Sequence, residues 1–392
     1  MAAPATSDTA NTMTIPLTGL LLILFGAALL LVTLSIFFQR GATSAEDDRT
    51  SNFAKFFLVA LRLAIGWHLL IEGVEKLQTP TWTSEGYLRE ATGPLGPVFR
   101  GIAGDRVAER LSVTEAKEPS ALFLREWSAY TTAFASHHQL AGETQLKKFD
   151  EAREKEKDKF VTWVTTISSE VVKPSPYPPP LKVAMTAKER VDYLDVLQKK
   201  VAEAEAKFPS DDPDVLKKWR DAKADAGKWR ADLKRSYDTQ LEAMKKSLQS
   251  VLDDEQKKQA PLAEPVRLPM TQWGMLEWSD FKVKWALVIL GGGLIVGLFS
   301  RVCSFASALL VLSFFAAMPP LPGYPESPRL EGHYLLINKT LIEVIALFAL
   351  AFIPTGRWGG LDGLIRLMCC STPKAASESA KSQQQQQQPV AT

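Results

Sequence analysis

FFLVALRLAIGWHLLIEGVEKL, residues Phe56–Leu77, is the stretch whose reading decides the fold of this chain. It is apolar enough to enter a bilayer, yet it carries Arg62, His68, Glu72, Glu75 and Lys76. At about 100° per residue these five project onto one arc of roughly 140°, and the opposite face is apolar. A charged group at the centre of a membrane helix costs on the order of 2.5–3.5 kcal/mol, so a helix with several on one side turns that side toward other helices. Glu75 and Lys76 end the apolar run and fit snorkelling to the interface. Arg62, His68 and Glu72 lie deeper and read either as a polar intramembrane site or as a structural ion-pair network. Leu63, about 100° from Arg62, falls off the polar arc, on the face expected to meet lipid.

Upstream, Ile15–Phe38 is an uncharged run, about 36 Å long as a helix and sufficient to span a bilayer. The only nearby basic residue, Arg40, follows it. A cleaved signal peptide wants a basic leader and a shorter apolar core, so the segment reads as an uncleaved anchor. Downstream, the charge density changes. Residues 81–280 hold 32 Lys+Arg and 33 Asp+Glu, a balance that gives no basic patch for nucleic acid. None of the three cysteines falls there, so this insert is not disulfide-stapled and folds by packing alone.

Within the insert, Pro119–Val172 has a mostly helical pattern interrupted at Gly142, and PSPYPPP (Pro174–Pro180) reads as a stiff extended connector. Thr186 and Glu189 form a capping box ahead of Leu194, Leu197, Val201, Ala204 and Phe208 at three-four spacing. Asp212 and Pro213 then start a second helix, with Ala226, Trp229, Leu233, Tyr237, Leu241, Met244 and Leu248 on one face, running to about Lys258. The short break between them predicts an antiparallel helical hairpin or coiled coil over Lys182–Lys258 that folds by itself. Lys217, Lys218 and Arg220 read as a solvated face.

Apolar character resumes at Trp285–Phe299, continues in Val302–Met318 and returns in Tyr334–Phe352. Arg301 and the glycines Gly291–Gly293 argue for a tight transmembrane hairpin rather than one long helix. Basic residues of the short connections (Arg40, Arg49, Lys55; Arg301; Arg357, Arg366, Lys374, Lys381) share one parity. The positive-inside rule then puts the C-terminus in the cytoplasm, and the N-terminus and the insert outside. The Ser/Gln-rich tail 369–392 reads as disordered. Vicinal Cys369 and Cys370 read as inert juxtamembrane residues. No CxxC, CxxCH, HExxH or phosphate-binding glycine loop is present, and the side chains of neighbouring His137 and His138 diverge on a helix, so no metal site is expected.

Asn338, Lys339 and Glu343 project on one side of the last span, with His333 just outside it; Lys339 and Glu343 are also spaced as a simple internal i,i+4 pair. The polar arcs of the second and fifth spans would face each other in a bundle and could hold a small polar-headed ligand. Together RLAIGWHLLIEGVEKL, SEGYLREATGP, GLFSR and GHYLLINK…PTGRWGGLD resemble the DoxX/DoxD membrane family. The positions that carry the resemblance are Arg62, Gly66, Gly73, Lys76, Gly297, Arg301, His333, Asn338, Arg357 and Asp362. The resemblance covers about 130 of the 392 residues. The extra anchor and the large insert depart from the family, whose corresponding loop is short.

The resemblance implies an all-α, integral membrane four-helix bundle, here with one added N-terminal span and an extracytoplasmic helical insert. Residues 1–52 would be anchor and linker, 53–80 the first core span, 81–280 the insert and 281–368 the other three spans. It implies a multi-pass protein of the inner (cytoplasmic) membrane and a subunit of a quinone-linked oxidoreductase of reduced sulfur compounds. Arg62, His68, Glu72, Lys76, His333, Asn338, Lys339 and Glu343 would then be the quinone-binding candidates. No redox cofactor is encoded, so electrons would come from a partner subunit or from a reduced substrate. The competing reading is a non-catalytic anchor that presents the insert to an extracytoplasmic partner. A small-solute transporter has only the buried charges behind it.

Overall fold

The computed structural model describes residues 51–173, 181–326, 332 and 334–370; the anchor expected at Ile15–Phe38, the proline connector 174–180, His333 and the tail from 371 lie outside them. The described chain is mostly helical. Its elements are α1 (Asn52–Gln78), α2 (Glu85–Arg89), α3 (Gly96–Ala103), α4 (Arg106–Leu111), α5 (Ala121–His137) and α6 (Glu143–Thr165), then strands β1 (Ser168–Lys173) and β2 (Leu181–Thr186). There follow α7 (Ala187–Glu205), α8 (Pro213–Leu248), α9 (Met275–Val296), α10 (Ser300–Ala317), α11 (Lys339–Phe352), α12 (Thr355–Trp358) and α13 (Leu361–Cys370). By their packing the described residues form two compact units. One comprises those of Met1–Glu75, Val283–Leu312 and Thr340–Thr392; the other comprises those of Lys76–Lys282 and Ser313–Lys339.

In the first unit, α1 lies against α9 through glycines. A Cβ on Gly66 would come within 2.9 Å of Leu294 Cβ, and one on Gly291 would sit 2.5 Å from the Leu70 nitrogen. Backbones this close need residues without side chains, which glycine supplies. Two helices, Asn52–Gln78 and Ser300–Ala317, are long and apolar enough to cross a membrane. The chain breaks between α9 and α10 at Gly297 (φ +68°) and Phe299 (φ +47°), so these are two helices with Arg301 at the start of the second.

Two expectations for the apolar segments need correction. The last apolar run does not enter its helix at Tyr334: Tyr334 and Ile337 exchange backbone hydrogen bonds of 3.1 and 3.2 Å across a tight turn, Leu335 takes a positive φ, and α11 starts only at Lys339. Fourteen helical residues are about 21 Å long, short of a hydrocarbon core of about 30 Å. Leu63 is also not on an outward face; it is buried with Val59 and Ile295, while Phe56, Phe57 and Leu61 are exposed.

In the second unit one aromatic-rich core joins α4 to α8 and the ribbon. Phe123 stacks on Phe160 at 3.9 Å, and Phe160 meets Tyr237 edge-on. Leu111, Val164, Leu194, Leu233, Met244 and Leu248 are all buried there. The capping box forms as the sequence predicts: Glu189 N–H donates to Thr186 Oγ1 at 3.1 Å, and Thr186 N–H to Glu189 Oε2 at 2.7 Å. Asp212 caps α8 through the Asp214 N–H at 2.9 Å, with Pro213 in the first turn. The unexpected element is the antiparallel ribbon, Ser168 opposite Thr186 through Lys173 opposite Leu181. Ile167, Val171 and Val172 are β-branched, which disfavours continuing α6 and suits a pleated pair. The helical pattern therefore stops at Thr165 instead of Val172, and the hairpin α7–α8 is part of a larger core.

Candidate functional site

The polar arc of α1 divides. Arg62 is fully buried in the first unit and donates from Nη2 to the carbonyl oxygen of Gly359 at 2.6 Å. Its Nε and Nη1 have no hydrogen-bond partner among the described residues. A Cβ on Gly297 would lie 3.0 Å from Nη1 and 2.7 Å from the Gly360 Cα, so two glycines make the slot that the guanidinium fills. Asp362 supplies the opposing charge. Its own carboxylate is engaged nearby, accepting from the N–H groups of Phe299 (2.7 Å) and Ser300 (2.9 Å) and from the Ser300 hydroxyl (2.8 Å). Asp362 thus serves as the N-terminal cap of α10 from a distant place in the chain, where an anion also favours the helix dipole. Gly356 N–H donates to the same Ser300 hydroxyl at 3.2 Å. Arg62, Gly297, Ser300, Gly359 and Asp362 are one joint that ties α1, the α9–α10 turn and the chain around α12 and α13.

His68 belongs to a different place. Six residues along α1 place it about 9 Å further along the axis, where its Nδ1 is 3.2 Å from Glu343 Oε1 on α11. The imidazole is 57% exposed and the carboxylate 19%. The pair therefore lies at the margin of the packed helices, whereas Arg62 is sealed inside. Such a pair combines a donor, a carboxylate that orients it and a titratable ring.

The remaining candidates divide between the units. Glu72 is half-buried on α1, in the first unit. Lys76 belongs to the second, 5.7 Å from the Trp82 ring. Asn338 is buried but stands just before α11, and Lys339 is its exposed first residue. The expected one-sided alignment of Asn338, Lys339 and Glu343 on a single helix is therefore reduced to the last two. Asp362 was visible in sequence only as part of a resemblance; the cap it forms on α10 joins residues too far apart for any local spacing to signal.

Among the described residues no group of His, Cys, Asp and Glu is arranged to hold a metal ion. His137 Nε2 lies 2.7 Å from the carbonyl of Ala260, and its ring is nearly perpendicular to that of His138. No family model matches the chain, and neither a curated protein nor a solved structure matches it.

Proposed function

We propose that this is a DoxX/DoxD-like integral membrane protein and the membrane subunit of a quinone-linked oxidoreductase, with His68 and Glu343 as its quinone contact. The His68–Glu343 pair carries the reading. A quinone is dissolved in the lipid phase and meets the protein laterally, so an imidazole–carboxylate pair at the margin of apolar helices is placed to be reached from there. Imidazole can donate to a quinone carbonyl and pass protons as the ring is reduced. Arg62 is taken out of the ligand set, because its bond to Gly359 and the glycine slot give it a structural role. Glu72 remains a neighbour on α1. α1, α9, α10 and α11 form the bundle in the inner membrane, the exposed apolar residues Tyr334, Leu335, Leu336 and Ile337 ahead of α11 making up the length its fourteen residues lack, with the C-terminus in the cytoplasm and residues 81–280 outside. What supports the family reading is that Arg62, Gly66, Gly297 and Asp362, four of the positions that carry the resemblance, are positions of close packing or polar bonding in one unit.

A second reading, a non-catalytic anchor, draws on the continuous core of the second unit, which is large enough to act as a binding domain in its own right. Extraction of detergent-purified protein for bound quinone separates the two. About one quinone per chain supports the redox reading, and protein free of quinone that refuses added quinone leaves the anchor.

A further inference from the structure

The segment Gly93–Gly104 of the second unit reads GPLGPVFRGIAG and contains α3. Its outward strip is Pro94, Leu95, Pro97, Val98 and Gly101, all exposed and none polar; Leu95 is 49% exposed and Val98 61%. The one charge in the segment is turned inward. Arg100 donates to the carbonyl oxygen of Ala91 at 2.6 Å and pairs with Glu205 at 2.6 Å. A helix that faces water does the reverse, as α8 does with Trp229, Leu233 and Tyr237 buried and Lys217, Lys218 and Lys228 exposed. A single exposed leucine is ordinary, whereas a contiguous apolar strip marks an interaction surface.

Two observations choose what covers the strip. The chain leading into α3 rests on the C-terminal end of α10, one of the two helices long and apolar enough to cross a membrane. Thr92 N–H donates to the Ala317 carbonyl at 3.0 Å and the Tyr87 hydroxyl to the Phe314 carbonyl at 2.8 Å, while Ala91 is buried with Ala317 and Met318. The strip therefore stands where that span ends. The start of α9 is beside it: Leu276 packs with Leu88 and Ala103, and the nearby Met275 and Trp278 are exposed. Tryptophan at this level is what a membrane–water boundary favours. The second observation is size. Eight helical residues make a face about 12 Å long, too small for a stable protein interface of about 800 Å² per partner. A lipid surface sets no such minimum when spanning helices already hold the chain against it.

We infer that α3 is an interfacial helix, lying along the bilayer surface with Leu95 and Val98 inserted where headgroups meet acyl chains. Arg100 holds its other side to α7 through Glu205. The inference rests on the membrane reading above and is independent of the quinone contact.

The test uses the full chain with Cys303, Cys369 and Cys370 replaced by serine, one new cysteine labelled with the fluorophore NBD, and phosphatidylcholine nanodiscs, which leave both bilayer faces open to water. Three positions are compared: Val98→Cys on α3, Leu309→Cys on the exposed side of α10, and Asp254→Cys, whose side chain is 95% exposed in the second unit. The Val98 label should emit further to the blue than the Asp254 label, show a several-fold smaller quenching constant with aqueous iodide, and be quenched by a nitroxide on the lipid chain near the headgroup. A Val98 label as open to iodide as Asp254, with Leu309 shielded, would overturn the inference and leave the membrane reading standing. Shielding of Val98 from iodide without nitroxide quenching would mean that protein covers the strip, and would overturn it too. A Leu309 label as open to iodide as Asp254 would remove the membrane reading and this inference with it.

Discussion

Asp362 caps a helix that begins 62 residues earlier in the chain: its carboxylate accepts both the backbone N–H and the hydroxyl of Ser300, at 2.9 and 2.8 Å. The bond pair fixes the start of α10 to the chain after α12, and it places a negative charge near Arg62. Asp362→Asn keeps the shape and loses the charge-assisted bonds. A negative charge at a helix N-terminus is worth about 0.3–1 kcal/mol, and up to about 2 where it is partly buried, so the variant should melt lower in detergent without losing its helical signal. An unchanged melting temperature would remove Asp362 from the joint.

Arg62 should behave as a partner of Asp362 and not as a ligand group. Arg62→Met leaves the Gly359 carbonyl without its donor, a loss of about 1–3 kcal/mol, while Asp362 keeps its bonds to Phe299 and Ser300. Leu61→Ala on the exposed side of the same helix should stay within about 0.5 kcal/mol. The double change Arg62→Met with Asp362→Asn should cost less than the sum of the two singles; additive losses would show that the two side chains do not interact.

The fold of the insert was legible wherever the signal was local. The Thr186–Glu189 box and the stripe from Ala226 to Leu248 come from residues three or four apart, and both are present as read. The ribbon was not legible, because Val171 pairs with Val183 only once the chain has turned back on itself. The same limit hid the Arg62–Gly359 and Asp362–Ser300 bonds. It also misled the lipid-facing assignment of Leu63: a helical wheel gives the angle of a side chain and not the position of the neighbouring α9, whose Ile295 covers it.

Because the core is shared, the hairpin 182–258 should not fold by itself. Tyr237 on α8 needs Phe160 on α6, and Leu233, Met244 and Leu248 lie in the core they share with α5. Expressed alone, 182–258 should melt without a cooperative transition or aggregate, whereas 105–265 should give a helical circular dichroism spectrum and one sharp melt. Cooperative melting of 182–258 as a monomer would contradict the shared core.

The second unit should also lose stability in acid through Asp105. Burial pushes its pKa up, but hydrogen bonding and charge from Arg230, with Arg89 adding, outweigh it and hold it below the ordinary value of 3.8. A depressed carboxylate contributes stability that is complete above the ordinary value and is lost as pH falls through the lowered one. Urea midpoints of 105–265 should therefore fall between about pH 5 and about pH 2, and the fall should be smaller in Asp105→Asn. Glu277, lowered by Arg106 against its own burial, contributes in the same direction in the full chain. A pH profile identical in wild type and Asp105→Asn would rule the cluster out as its source.

The His68–Glu343 assignment is tested most directly by quinone content per chain, measured after detergent purification in four proteins: wild type, His68→Leu, Glu343→Gln and Asp362→Asn. The account predicts about one quinone in wild type and in Asp362→Asn, although the latter melts lower, and loss of quinone from both His68→Leu and Glu343→Gln while they remain folded. Full quinone in His68→Leu and Glu343→Gln, or none in wild type even after quinone is added, would contradict it.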